Sequence, residues 1–460
     1  MKKKIYLIQP TYRNADGHLL KGTSLFIHSL VLPILSATIP LDWEKEFCLE
    51  YFEDINYETD ASVIGISSMG YDLVHGMEIA EAFKKRGKSV IFGGYQAHFS
   101  RNRLYPVCDS IIYGNPGPDE MNKILGDIEA GHLAPEYHCG IDINFPFDYS
   151  VFSGKRIHFT PVLSSVGCRN QCEFCCTAAI YQGHYRLRDL NHVLTDLEIA
   201  RRRTRYVGFV DSNIYNNREY LVRLCSRIIK ENLDIRWGAE STIDVAEDLE
   251  VLDFLKKAGC GVLFIGLETP NQKSLDSVNK PYSAERYSEL IRRIHRAGIF
   301  VAGYFILGLD GDTSSSFEIL FEFIHSTRVN IPILNLLLPP PGTKVFDRLG
   351  KEGRLLIKNE DELILNNLYY NTSCNRCFFI PKHMSVEEAE VKFLDLNRKL
   401  CSLREILWRS ATARPSELTF LLYMNLAFRS DVKKMIAAHN TRVGEGVNRY
   451  DVQCTQLSSK

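Results

Sequence analysis

The chain has 460 residues, enough for two or three domains of ordinary size. Its 45% hydrophobic and 24% charged residues exclude a disordered protein and describe a globular one. Lys+Arg 55 against Asp+Glu 56, a net charge of -1, excludes broad electrostatic capture of nucleic acid and leaves a small molecule or a localised partner.

Met1-Lys-Lys-Lys-Ile5 is basic like the start of a signal peptide, but the apolar stretch after it is brief and ends at Gln9-Pro10, so no export segment is expected. Leu25 to Pro40 is apolar yet short, and Pro33 and Pro40 make it a buried helix and turn. No uninterrupted apolar span matches a bilayer, so no transmembrane segment is expected. The thirteen cysteines are then expected to stay reduced in a cytoplasmic protein.

Residues 1–135 alternate strand-like and helix-like runs: Ile5 to Gln9, Phe47 to Phe52, Val63 to Ser67, helix from Met77 to Arg86, Val90 to Phe92, Ile111 to Tyr113, helix from Asp119 to Ile128. The pattern predicts a doubly wound, Rossmann-like α/β domain with a parallel sheet, whose ligands bind at strand carboxyl ends. Those ends read Ser67-Ser68-Met69-Gly70, Gly93-Gly94-Tyr95-Gln96 and Gly114-Asn115-Pro116-Gly117. Their glycines let backbone approach a large flat or phosphorylated ligand. Residues 136–156 read as a linker.

From 157 to 345 the pattern is a partial (β/α)6 barrel. Strand-like segments at 158–164, 205–211, 235–240, 261–268, 300–308 and 331–338 alternate with helices near 189–203, 217–232, 246–258, 284–297 and 314–327. Leu221, Leu224, Cys225, Ile228 and Ile229 give the second helix one apolar face. Six units are two short of a closed eightfold barrel, and functional residues are expected at strand C-terminal ends. Residues 346–460 read as mostly helical, with a polar tail from about Asn440, and are expected to cover the open barrel or contact the substrate.

The densest chemistry is Cys168-Arg-Asn-Gln-Cys172-Glu-Phe174-Cys175-Cys176, three thiols spaced C-x3-C-x2-C. Three thiolates can hold three corners of a cubane iron–sulfur cluster, one iron each, leaving the fourth iron open to a ligand. Structural zinc would want four protein ligands, and no second C-x2-C knuckle lies nearby. Cys176 falls outside the spacing and reads as a packed thiol.

This loop, with Phe174 before its last cysteine, resembles the signature of radical S-adenosylmethionine (SAM) enzymes. The domain before the barrel resembles the cobalamin-binding domain of one large subfamily. Two departures accompany that likeness: Asp-x-His-x-x-Gly is absent after the first strand, as is usual there, and Gly114-Asn-Pro-Gly117 replaces a common Gly-Glu-Gly-Glu. The resemblance implies a [4Fe-4S] cluster on Cys168, Cys172 and Cys175, with Phe174 beside the adenine of SAM. It implies further SAM contacts from Asp211, Ser212 and Asn213 after the second strand, Glu240 after the third, Glu268 after the fourth and Gly308 after the fifth. Leu338-Pro-Pro-Pro-Gly342-Thr resembles the family's motif after the sixth strand. Ser67, Ser68, Gly93, Gly94, Tyr95 and Gly114 are the implied cobalamin contacts.

On their own, strand-end carboxylates also cap helices and glycines also make turns. The activity implied is reductive cleavage of SAM and cobalamin-dependent methylation of an unactivated carbon, with a small-molecule or lipid substrate and an electron donor such as flavodoxin or ferredoxin. Two alternatives stay open. One is a non-methylating radical enzyme that cyclises, rearranges, or transfers the 3-amino-3-carboxypropyl group to a thiophile such as arsenic. The other is a non-catalytic corrinoid or metal carrier. Cys374-Asn-Arg-Cys377 could bind metal or trivalent arsenic or help hold an auxiliary cluster, with Cys139 and Cys401 unassigned, but is expected to be a reduced buried pair. Tyr369-Tyr370 beside it could line a cavity or belong to the core, and Arg201-Arg-Arg-Thr-Arg205 reads as a solvated helix end.

Overall fold

The computed structural model describes residues 2–444 other than 14–16, 71, 142, 358–375, 412 and 414. The first layer of chain runs β1 (Lys4–Gln9), α1 (Val31–Thr38), β2 (Glu44–Leu49), β3 (Val63–Ser67), α2 (Leu73–Lys84), β4 (Ser89–Gly93), β5 (Ser110–Tyr113), α3 (Pro118–Glu129) and β6 (Glu136–His138). The strands form one parallel sheet in the order β2-β1-β3-β4-β5-β6. Because helices cover both faces, the strands are buried on both sides and read as continuous apolar runs. Ile5 and Leu7 join the core that includes Leu32 of α1 and Ile124 of α3, while Tyr6 and Ile8 join that of Ile79 and Phe83 of α2.

Two boundaries differ from expectation. Glu136–His138, assigned by sequence to the linker, is the sheet's edge strand, pairing with Ile111–Tyr113. The linker after it is not loose: Phe147, Tyr149 and Phe152 are buried in the core that holds α1 and α3. Helix α2 begins at Leu73, ahead of the predicted Met77, because the Asp72 carboxylate organises the preceding turn. It accepts from Ser68 Oγ at 2.6 Å, Met69 N at 2.8 Å and Gly70 N at 3.0 Å.

The second body runs β7 (Thr160–Val162), α4 (Cys176–Tyr181), α5 (Leu190–Arg203), β8 (Tyr206–Phe209), α6 (Arg218–Lys230), β9 (Arg236–Ser241), α7 (Leu249–Lys257), β10 (Cys260–Glu268), α8 (Tyr287–Arg296), β11 (Phe300–Leu307), α9 (Ser316–Thr327) and β12 (Ile331–Leu336). Its strands are parallel in the order β12-β11-β10-β9-β8-β7, so β7 and β12 are open edges and the barrel is partial. Outward residues such as Leu263, Ile265 and Leu267 pack on the helices. The helical C-terminal region follows as α10 (Lys344–Lys351), α11 (Val386–Leu400), α12 (Leu403–Ser410) and α13 (Pro415–Gly444). Leu421, Met424 and Phe428 of α13 pack with Val262, Phe300 and Ile331 from the starts of β10, β11 and β12, forming the floor of the barrel.

A buried guanidinium locks the linker to the barrel. Arg188 donates to Asp196 at 2.7 Å, to Leu163 O at 2.8 Å, to Phe145 O at 2.6 Å and to Ile143 O at 3.2 Å. It also stacks 3.7 Å from the Phe147 ring centre. At the opposite edge of the barrel, past the end of β12, Gly342 (φ +81) lies against Phe99 of the first domain, where an added Cβ would fall 2.2 Å from the ring.

Candidate active site

The cysteine loop leaves a short antiparallel ribbon, Ser165–Gly167 paired with Tyr185–Leu187. Gly167 (φ +83) is required there, since a Cβ would fall 2.3 Å from His184 O. Asn216 pins the start of the loop, donating to Gly167 O at 3.0 Å and accepting from Arg169 N at 3.2 Å. Farther along, Glu173 N donates to Val278 O at 3.1 Å, and Val345 N of α10 donates to Glu173 O at 3.2 Å. Arg348 of α10 pairs with the Glu173 carboxylate at 3.2 Å. The loop is therefore fixed from three directions before any ligand binds.

Cys172 is buried and Cys168 and Cys175 are half-buried. Burial raises the Cys168 thiol and pushes Cys172 up to about 11, so both must surrender a proton to a metal. Cys176 opens α4, half-buried and pushed up to about 12 by burial. Among the described residues no three His, Cys, Asp or Glu side chains converge to hold one ion. That pattern concerns a mononuclear site, whose thiolates crowd round one metal at about 2.3 Å. In a cubane each thiolate takes a different iron, so its donors stand farther apart. The loop's chemistry fits three corners of such a cluster.

The strand ends do not all face the same place. Asp211, predicted to face a SAM amine, is fully buried. It accepts from Ser164 N at 3.0 Å, Ser164 Oγ at 2.6 Å and Ser165 Oγ at 2.8 Å. It holds the β7 end that leads into the cysteine loop, and burial pushes its carboxyl upward against those donors. Asn213 is also buried: its Oδ1 accepts from Tyr215 N at 3.0 Å, while its Nδ2 has no partner. Ser212 is exposed, its hydroxyl 3.5 Å from Thr177 of α4. Phe174 is half-buried and packs against the barrel core.

Glu240 points into the lumen, where solvent reaches it but protein surrounds it, and burial pushes its carboxyl up to about 7. Tyr304 OH lies 3.5 Å away. Glu268 is not free: it pairs with Lys280 Nζ at 2.7 Å, both side chains 6% exposed. Gly308 (φ +88) packs under Phe379, and its N–H donates to Asp312 at 2.9 Å, so it shapes the strand end without offering a free donor. Lys280 and Arg188 escape sequence reasoning, because each sits on a segment with no helical or strand periodicity.

A cavity of about 480 Å³ opens at the carboxyl ends of β3, β4, β5 and β6. Ser67, Gly93, Gly94, Tyr95 and Gly114 line it; Ser68 does not, being buried and bonded to Asp72. Gly94 (φ +101) and Gly114 (φ +81) bring backbone together so closely that a Cβ would fall 2.3 Å from Ser68 O and from Cys139 O respectively. The Ser67 and Tyr95 hydroxyls are buried without a partner. Unanswered polar atoms on a glycine-walled cavity of cofactor size fit a large ligand carrying hydrogen-bonding groups. His98 and His138, which the sequence did not single out, also line it, together with Met69 and Cys139. So do Ile180 and Tyr181, at the far end of the helix that starts after Cys175. One short helix thus joins the cysteine loop to the cavity wall.

Residues 162–324 match the family model for the radical SAM superfamily. The chain carries a radical SAM domain. It is 25% identical over 422 residues to bacteriochlorophyllide d C-12(1)-methyltransferase of Chlorobaculum tepidum, covering 87% of each chain. It is 26% identical over 493 residues to hopanoid C-2 methylase of Rhodopseudomonas palustris, covering 95% of this chain and 93% of the relative. Among solved structures it resembles the radical SAM methyltransferase TsrM of Kitasatospora setae with cobalamin and a [4Fe-4S] cluster bound. That match has a TM-score of 0.65 at 15% identity and covers 96% of this chain and 100% of that one. It also resembles the cobalamin-dependent radical SAM enzyme OxsB with aqua-cobalamin and SAM bound, with a TM-score of 0.68 at 12% identity, covering 97% and 75%. These structural likenesses show a shared fold, in which a sheet domain precedes the radical SAM domain.

Cys374, Tyr369 and Tyr370 lie outside the described residues, as does the tail beyond residue 444. Cys377 is 2% exposed, its N–H donating to Glu390 of α11 at 3.0 Å. Cys401 caps the far end of α11 and Cys139 lines the first domain's cavity, so neither is placed beside Cys377 as a partner. Arg201 and Arg202 are exposed at the end of α5, as a solvated terminus requires, whereas Arg203 donates to Phe152 O at 2.7 Å.

Proposed function

We propose that this protein is a cobalamin-dependent radical SAM methyltransferase acting on an unactivated carbon of a small-molecule or lipid substrate. The observation that carries this reading is the continuity of α4. It starts after Cys175 and ends with Ile180 and Tyr181 in the wall of the first domain's cavity. When bound, a [4Fe-4S] cluster with SAM supplies reductive SAM cleavage, and cobalamin supplies a methyl carrier. Cys168, Cys172 and Cys175 would hold the cluster; Ser67, Gly93, Gly94, Tyr95 and Gly114 would hold cobalamin.

The chain's own contribution is placement and exclusion of water. Asn216, Glu173 and α10 hold the loop, Asp211 holds the strand end before it, and α13 closes the barrel floor. Glu240 and Tyr304 put polar groups into the lumen, where they can accept from or donate to SAM or substrate. The relatives named above act on a bacteriochlorophyllide and a hopanoid, both bulky and largely apolar, which supports a substrate of that kind. A flavodoxin or ferredoxin would supply the electron. No helix among the described residues is long and apolar enough to cross a membrane; a cytoplasmic location is part of the same proposal.

The test is anaerobic reconstitution with iron, sulfide and hydroxocobalamin, followed by methyl-labelled SAM and a reductant. Retained corrinoid, with deoxyadenosine and S-adenosylhomocysteine both formed, is the expected result. A full cluster with SAM cleavage but no corrinoid retained would return the non-methylating alternative.

A further inference from the structure

Glu268 ends β10 with φ +63, a left-handed conformation that side chains with a Cβ seldom adopt. Its carboxylate and the Lys280 ammonium are both buried, 2.7 Å apart. Desolvating two charges offsets most of what their attraction returns, so a buried pair of this kind is weak evidence of stabilisation. The backbone nevertheless makes room for it. A Cβ on Gly266 would fall 2.6 Å from Glu268 Oε1 and 2.9 Å from Lys280 Nζ.

The pair also stands beside the cysteine loop. Asn279 Nδ2 donates to Gln171 O at 3.2 Å and Val278 O accepts from Glu173 N at 3.1 Å, so the segment carrying Lys280 is laced to the loop on both sides of Cys172. The Tyr287 hydroxyl is likewise buried, without a partner.

We propose that the Glu268–Lys280 pair sets the reduction potential of the cluster held on the 168–175 loop. Lys280 is the positioning residue whose charge favours the reduced cluster, and Glu268 is its counterweight. This rests on the cluster reading above. Adding an electron makes the cluster more negative, so a fixed cation in its wall lowers the reduced state more than the oxidised one, and a fixed anion does the reverse.

The experiment compares wild type, Lys280→Met, Lys280→Arg, Glu268→Gln and the Lys280→Met/Glu268→Gln double variant. Each full-length chain is reconstituted anaerobically, its iron and sulfide counted, and its cluster titrated by electron paramagnetic resonance at poised potentials. Lys280→Met should move the midpoint negative, with the reduced-to-oxidised ratio at a fixed potential falling roughly tenfold. Glu268→Gln should move it positive, Lys280→Arg should leave it in place, and the double variant should lie between the two single variants. The double variant also removes the unpaired buried carboxylate that could unfold Lys280→Met. Iron-replete variants whose midpoints equal wild type, or single variants that shift in the same direction, would overturn the inference alone. A wild-type chain that takes up no iron would overturn the cluster reading and this inference with it.

Discussion

Replacing Asp211 by Asn separates a structural carboxylate from a ligand-binding one. The side chain is fully buried and takes three donors: Ser164 N, Ser164 Oγ and Ser165 Oγ. The two hydroxyls can turn to suit an amide, but the Ser164 N–H cannot, and an Asn presents only one acceptor oxygen. Hydrogen bonds to a charged group contribute about 1.5–3 kcal/mol each, so losing the charge and one good acceptor should cost about 2–4 kcal/mol. In a domain of this size each kcal/mol moves the melting point by about 2–4 °C, which gives a fall of roughly 4–16 °C. The assay is anaerobic thermal unfolding, paired with equilibrium dialysis of SAM normalised to cluster content. The expected result is a lower melting point with SAM affinity per cluster unchanged. An unchanged melting point with SAM binding lost would show the carboxylate facing the ligand and refute the placement argued here.

Other outcomes follow from the same geometry. Ser67→Ala removes a buried hydroxyl with no partner, so the corrinoid-free protein should gain a little stability while corrinoid affinity falls by about 1 kcal/mol, roughly fivefold; spectroscopic titration with equal affinity would count against the cavity assignment. Arg188→Met strands Asp196, 0% exposed, and frees three carbonyls, so unfolding should cost about 3–5 kcal/mol less than in wild type; a change under about 1 kcal/mol would contradict the lock. Glu240 is an acid raised from 4.5 to about 7, so its contribution favours the fold at low pH and is lost as pH climbs through about 7. Glu240→Gln should therefore melt progressively higher relative to wild type between pH 5 and pH 8, and a flat difference would place the carboxylate in open water.

The sequence carried the architecture because each parallel strand is a short apolar run followed by a helix with a single apolar face. Val63–Ser67 falls on its predicted residues, and β10, from Cys260 to Glu268, differs by one. It failed where a strand is short and polar: Glu136–His138 owes its place to pairing with β5, which no local pattern reveals. The cysteine loop stood out as a candidate cluster site because such chemistry dictates residue type and spacing together. The carboxylates were not, since a strand end shows which residue is there but not where it points. Asp211 and Glu240 end neighbouring strands, yet one is saturated by serines and the other faces the lumen. Ser68 and Gly308 N are engaged by Asp72 and Asp312, carboxylates that lie a few residues farther along the chain and that no local pattern ties to them.

The most direct test of the account is a metal count on anaerobically reconstituted wild type and Cys172→Ala, with electron paramagnetic resonance before and after adding SAM. About four iron and four sulfide per wild-type chain, a reduced-cluster signal that SAM alters, and loss of that signal in the variant are expected. An iron-free wild type, or a cluster that survives intact in Cys172→Ala, would contradict it.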